Sequence, residues 1–135
     1  MNAEHITAIT ELDQSRYRTK VYSGGHFIYA DEPAGLGGTD EGMNPYALLL
    51  ASLGSCTAIT IRMYADRKQY SLDHIKVELS LVLSNDLIMQ TRITRNLTLT
   101  GELTEEQRAH LSLIADKCPI HKVLSNPIII ETTRL

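Results

Sequence analysis

The sequence predicts an α+β fold. Three observations predict it: hairpin-linked apolar runs early and again mid-chain, one long segment apolar on nearly every face, and a capping signature that opens a second helix only after the last hairpin. Strands that pair through short turns, rather than alternating with helices, make antiparallel sheets, not a doubly wound parallel one.

The elements follow in order. His5–Leu12 carries Ile6, Ala8, Ile9 and Leu12 and ends in the turn-like Asp13-Gln14-Ser15, so it reads as a first strand. Tyr17–Tyr22 and His26–Ala30 are rich in Tyr, Val, Phe and Ile and flank Ser23-Gly24-Gly25, a hairpin signal. Asp31–Asn44 then holds four glycines, one proline and four acidic residues. It reads as a loop of the length that compact domains often reserve for function.

Asn44–Lys68 reads as one helix. Asn44 can cap it, Pro45 suits its first position, and Arg67 and Lys68 suit its C-terminal dipole. At 1.5 Å per residue it would span roughly 36 Å. Its apolar character all round predicts a central helix that packs across sheets or against a partner subunit. His74–Ser84 alternates strictly (Ile75, Val77, Leu79, Leu81, Leu83), and Ile88–Thr100 reads as its antiparallel partner across an Asn85-Asp86 turn. Thr104-Glu105-Glu106-Gln107 is a capping box, and Leu103, Leu111, Ile114 and Ala115 make one helical face reaching about Lys117. Cys118-Pro119 breaks that helix, a short helix follows to about Leu124, and Pro127–Arg134 reads as a last strand.

Composition narrows the function classes. The 135 residues suit a single domain, 1–135, with 13 basic and 16 acidic residues and a net charge of −3. No basic block marks a nucleic-acid partner. The longest apolar run, around Ala47–Leu53, is far short of the roughly 20 residues of a membrane span. Met1-Asn2-Ala3-Glu4-His5 lacks the basic-then-apolar order of a signal peptide. Two cysteines exclude a disulfide-dense scaffold. The expectation is a soluble cytoplasmic domain with two thiols to explain.

Cys56 lies near the middle of the long helix, with Leu49, Ser52, Leu53, Ile59, Thr60 and Met63 on its face. It reads either as a small buried hydrophobe or as a reactive thiol that needs a nearby cation, because burial raises a thiol's pKa. Cys118 sits at a helix break before Pro119, where free N–H groups favour a thiolate; the alternative is a residue that merely packs. The pair forms neither a C-x-x-C motif nor a zinc knuckle. Of His5, His26, His74, His110 and His121, only His121 lies close to a cysteine in sequence, and one Cys with one His is not a metal site. Gly35-Leu36-Gly37-Gly38 lacks the lysine of a phosphate loop. No cofactor and no resident metal are expected.

Two cysteine-centred motifs carry a resemblance. Gly42-Met43-Asn44-Pro45-Tyr46, running on through Gly54-Ser55-Cys56-Thr57 to Arg62-Met63-Tyr64-Ala65, resembles the OsmC/Ohr family of osmotically induced and organic hydroperoxide resistance proteins. Asp116-Lys117-Cys118-Pro119-Ile120-His121 resembles that family's second cysteine motif, and the likeness covers nearly the whole chain. It implies an OsmC-like intertwined homodimer with antiparallel sheets wrapped around long central helices. It also implies a thiol-dependent peroxidase, with Cys56 attacking a hydroperoxide, Cys118 resolving the product as a disulfide, and an external dithiol restoring both thiols. Family likeness places an arginine beside the attacking thiol; Arg16 is the best match and Arg18 the second choice. Where the hydroperoxide branch has a glutamate after its Asn-Pro, this chain has Tyr46. Asp40 or Glu41 could replace that carboxylate, or Tyr46 could itself bond a substrate, with Leu49 and Leu53 lining the approach. The alternative is a non-catalytic protein of the same fold that holds an apolar small molecule in the dimer cleft.

Overall fold

The computed structural model describes residues 5–83 and 90–135. In chain order these contain β1 (Ile9–Glu11), β2 (Thr19–Ser23), β3 (His26–Ala30), α1 (Pro45–Lys68), β4 (Ser71–Val82), β5 (Arg92–Glu102), α2 (Glu105–Ile114) and α3 (Pro119–Leu124). The fold is α+β with antiparallel sheets, as the hairpin pattern predicts. The expected Asn85-Asp86 turn, with Ile88 and Met89 of the expected strand, lies outside the described residues. Two compact units divide the chain, Met1–Leu49 and Leu50–Leu135, and α1 begins in the first and continues through the second.

In the first unit β1, β2 and β3 form an antiparallel sheet. Ser23 pairs with His26 across Gly24-Gly25, whose φ values of 57° and 81° are those of a type I′ turn, so only glycine enters it without strain. Two strands are shorter than the sequence suggests. The first covers only Ile9–Glu11, not His5–Leu12; ahead of it the Ser23 hydroxyl, not a backbone N–H, donates to the Thr7 carbonyl at 2.6 Å. The second starts at Thr19, not Tyr17, because Tyr17 has φ 66° and turns the chain out of the extended region.

The acidic, glycine-rich loop is built around the buried carboxylate of Asp31. It accepts the Thr39 hydroxyl at 2.7 Å and the backbone N–H groups of Glu32 at 2.7 Å and Glu41 at 3.1 Å. The Thr39 hydroxyl first, and then those N–H groups, hold its pKa below the ordinary value against the opposing effect of burial. Gly38 passes so close to Glu32 that a Cβ would stand 2.0 Å from the carbonyl oxygen. A single bridge between Ala30 and Met43 fastens the loop's end to β3.

Helix α1 starts as expected, with Asn44 Oδ1 accepting the Ala47 N–H at 2.8 Å and Pro45 at its first position. It ends on Arg67 and Lys68. Among the described residues it is the one helix long and apolar enough to cross a membrane by length and composition, with mean hydropathy 1.4 over its most apolar window. The short run Ala47–Leu53 understates this, because the small and β-branched residues beyond it keep the hydropathy high. The fold uses the helix as a core element. Leu53, Thr57, Ile61 and Ala65, spaced by one turn, are buried in a single stripe. Ile59 and Met63, on another face, are 54% and 65% exposed.

The rest of the second unit packs on that stripe. β4 and β5 pair antiparallel along their length, with Leu79 opposite Arg95 and a bulge between Leu72 and His74. Gly54 lets α1 approach the hairpin: a Cβ there would meet Leu79 Cδ1 at 2.8 Å. Ile61, Ala65, Leu72, Leu111, Ile114 and Ala115 form the core, flanked by Ile75, Leu97 and Leu99 from the strands. Thr104 and Gln107 make the reciprocal capping box the sequence predicts at the start of α2. A 3-10 turn, Ala115–Lys117, ends that helix, and α3 follows at once. Pro127–Arg134 is not a strand; no described strand runs beside it to take its N–H and C=O groups, and Ile129 and Ile130 are exposed.

Candidate active site

The two cysteines, distant in sequence, meet within the second unit. Cys56 lies partly buried on α1, and Cys118 is completely buried at the N-terminus of α3; both are free thiols. As the break before Pro119 predicts, Cys118 is the cap of α3, with extended backbone (φ −60°, ψ 132°) and its sulfur accepting the His121 N–H at 3.4 Å. Pro119 lacks an N–H, so the first donors of the helix are those of Ile120 and His121, and both serve the cysteine pair.

The two thiols stand close enough for each to shift the other's pKa. Burial, and then the neighbouring Cys118 thiol, push the Cys56 thiol up, against smaller help from the Ile120 N–H and the Thr60 hydroxyl. For Cys118 burial acts in the same upward direction and is its largest single influence. The Cys56 thiol, the N–H groups of His121 and Ile120, and the Thr57 hydroxyl together outweigh it and bring Cys118 down.

A residue the sequence reading passes over stands beside the pair. Arg95 lies on β5 in phase with Ile93, Leu97 and Leu99, on the half-buried face, and its side chain is only 12% exposed. Its Nη1 donates to Thr57 Oγ1 at 3.0 Å, and its Nη2 donates to Asp116 Oδ1 at 2.9 Å and to His121 Nδ1 at 3.1 Å. A guanidinium has no acceptor, so His121 Nδ1 carries the lone pair. The signal that could have found Arg95 is its phase: a charge at an inward position of the alternating run Ile93-Thr94-Arg95-Asn96-Leu97 needs an ionic partner. A cavity of about 470 Å³ opens alongside, lined by Leu53, Ile93, Arg95, His121 and Leu124 among others. Among the described residues no group of three or more His, Cys, Asp or Glu stands ready to hold a metal ion.

Of the other residues singled out by sequence, Leu53 is buried on the wall of that cavity. Arg16, Arg18, Asp40, Glu41, Tyr46 and Leu49 belong to the first unit. There Arg18 Nη1 pairs with Glu41 Oε1 at 3.2 Å, and its guanidinium lies 5.0 Å from the Tyr29 ring centre. Glu41 Oε2 lies 2.7 Å from the same Thr39 hydroxyl that Asp31 accepts, so the two carboxylates share one proton donor, and this ties Glu41 to the Asp31 loop. Arg16 is exposed and makes no ion pair among the described residues. Asp40 turns the loop with φ 54°, and Tyr46 and Leu49 are exposed on the first turns of α1.

The family described as OsmC-like protein matches residues 38–133, a span that takes in both cysteines. The chain belongs to the OsmC-like family. Solved structures share the fold. An OsmC-like protein from Mycoplasma pneumoniae is 18% identical over 90% of this chain and 88% of its own, with a TM-score of 0.77. An organic hydroperoxide resistance protein OsmC from Legionella pneumophila is 19% identical over 92% and 91%, with a TM-score of 0.67. An organic hydroperoxide resistance protein from Elizabethkingia anophelis is 20% identical over 90% and 89%, with a TM-score of 0.66. No curated protein matches the chain.

Proposed function

We propose that this OsmC-like chain, as one domain, is a thiol-dependent peroxidase for organic hydroperoxides. The observation that carries the reading is the meeting of Cys56 and Cys118 as two free thiols close enough to shift one another's pKa. Solved relatives of the same fold named organic hydroperoxide resistance proteins support it. In the first step the Cys56 thiolate attacks the terminal peroxide oxygen. The O–O bond breaks, the thiolate becomes a sulfenic acid, and the departing alkoxide takes a proton and leaves as an alcohol. In the second step Cys118 attacks the Cys56 sulfur; the S–S bond forms and the hydroxyl leaves as water with the thiol's proton. An external dithiol then takes the disulfide back to two thiols and is itself oxidised. Such a cycle suits a reducing compartment, the cytoplasm.

The cavity beside Arg95 is the place for the substrate: Leu53, Ile93 and Leu124 meet its organic group, and Thr91, Arg95, His121 and Ser125 make the rest of the wall polar. Cys56 needs a cation to ionise, because burial holds its proton on. The family resemblance gives that part to Arg16, with Arg18 as the second choice. The active form is a homodimer. Ser52, Cys56, Ile59 and Met63 repeat at alternating spacings of four and three on α1, and the exposure of Ile59 and Met63 makes that stripe a seam for a second copy of the helix.

The test is mass spectrometry after one equivalent of cumene hydroperoxide, with a Cys56–Cys118 disulfide expected. Cys56→Ser should abolish peroxide consumption; consumption at the wild-type rate by that variant would sink the mechanism. A second reading is a non-catalytic protein that binds an apolar small molecule, and the raised Cys56 thiol favours it. Thiol titration separates the two: fast alkylation of Cys56 near neutral pH supports catalysis, and an inert thiol supports binding.

A further inference from the structure

The geometry points to Arg95 as a positioning residue that holds the Cys118 segment in register with the Cys56 segment, so that the disulfide can close. This rests on the reading of the two thiols as an attacking and a resolving pair. Three elements converge on one guanidinium. Its Nη1 reaches Thr57, the residue next to Cys56 on α1. Its Nη2 reaches Asp116, two residues before Cys118, and His121, three residues after it. The stretch that carries Cys118 is therefore gripped on both sides of the sulfur by the same group that fixes the neighbour of Cys56.

Among the described residues no other side chain hydrogen-bonds both to α1 and to each side of Cys118. Cys118 stands between a 3-10 turn of three residues and a helix of six, elements too short to define their own position. Its backbone N–H bond to Ala115 is local, and its sulfur's bond to the His121 N–H stays within the same segment. Arg95 instead stands on β5, a long strand paired with β4 along its length. The inward phase of the residue, its burial and its use of two nitrogens on three side chains all serve one task. Resolving-thiol attack needs sulfur on sulfur along the bond that breaks, and a small misplacement of the attacking group slows such a step by orders of magnitude.

The experiment measures closure by itself. Reduced full-length protein is converted at Cys56 to the mixed disulfide with glutathione. Closure (Cys56–S–SG plus Cys118 thiol giving the Cys56–Cys118 disulfide plus free glutathione) is followed by rapid acid quench and mass spectrometry. Once the Cys56–glutathione disulfide has formed, Arg95→Met should close at least tenfold more slowly than wild type. Arg95→Lys, with one donor group in place of the fork, should recover part of the rate. With cumene hydroperoxide as oxidant, a dimedone-trapped Cys56 sulfenic acid should accumulate in Arg95→Met and not in wild type. Should Arg95→Met fail to fold by circular dichroism, Asp116→Asn carries the test, since it leaves Arg95 and Thr57 bonded; about threefold slower closure is expected. Closure at the wild-type rate in a folded variant overturns the inference. A wild-type protein that closes from the glutathione adduct but yields no sulfenic acid with hydroperoxide would refute the peroxidase reading and leave the role of Arg95 intact.

Discussion

Each unit of the chain is organised around one largely buried charge, and the two charges work differently. In the first unit Asp31 gathers Glu32, Thr39 and Glu41, all within ten positions of itself, and so shapes a single loop. In the second, Arg95 gathers Thr57 on α1 with Asp116 and His121 on either side of Cys118, groups that stand 21 to 38 positions from it. A buried charge with local partners makes a turn rigid. A buried charge with distant partners sets the position of one element against another. The cysteines depend on the second kind, because nothing in the chain between Cys56 and Cys118 brings them together except the folding of the whole unit.

Four substitutions test this contrast, from the largest expected effect down. Leu111→Ala empties a fully buried core position and should cost about 2–5 kcal/mol by urea unfolding, while leaving the rate of Cys56–Cys118 closure in the folded protein near wild type. A change in closure without a change in stability would reverse the assignment of roles between core and guanidinium. Thr57→Val keeps the shape but strips the acceptor from Arg95 Nη1; it should cost about 1–3 kcal/mol with an unchanged denaturant slope. Asp31→Asn should lower stability at neutral pH by less, because the amide oxygen still accepts. The sign with pH follows from the lowered carboxyl pKa. Asp31 contributes its full stabilisation above its unfolded value of about 3.8 and loses it as pH falls through its folded value. Wild type and variant should therefore converge in acid, and thermal melts across that range check it. Asp66→Asn breaks a surface pair with Arg62 at 3.4 Å and should change stability by no more than about 0.5 kcal/mol.

The same contrast decides what the sequence could say. The long helix, its cap at Asn44, the capping box at Thr104 and the hairpin at Gly24-Gly25 are local signals, and each appears where its residues predict. Cys118 at a helix cap is legible for the same reason: a proline after it and free N–H groups beyond. The Cys56–Cys118 encounter was not legible from spacing and came only through resemblance. Arg95 was missed although its phase on β5 marks it, because a charge in an alternating run gives no hint of which distant groups will meet it. The last strand failed for a related reason. Apolar residues at 128–130 have strand propensity, but a strand also needs a neighbour, and propensity does not supply one.

Cysteine is a poor choice for the start of a helix. Serine, threonine and asparagine cap better than sulfur, which is a weak acceptor and here takes the His121 N–H at 3.4 Å. At position 118 the chain therefore carries a residue that the helix itself would not select. Serine at this position should tighten α3, so a Cys118→Ser protein that stops after one turnover will have lost its chemistry with its architecture improved.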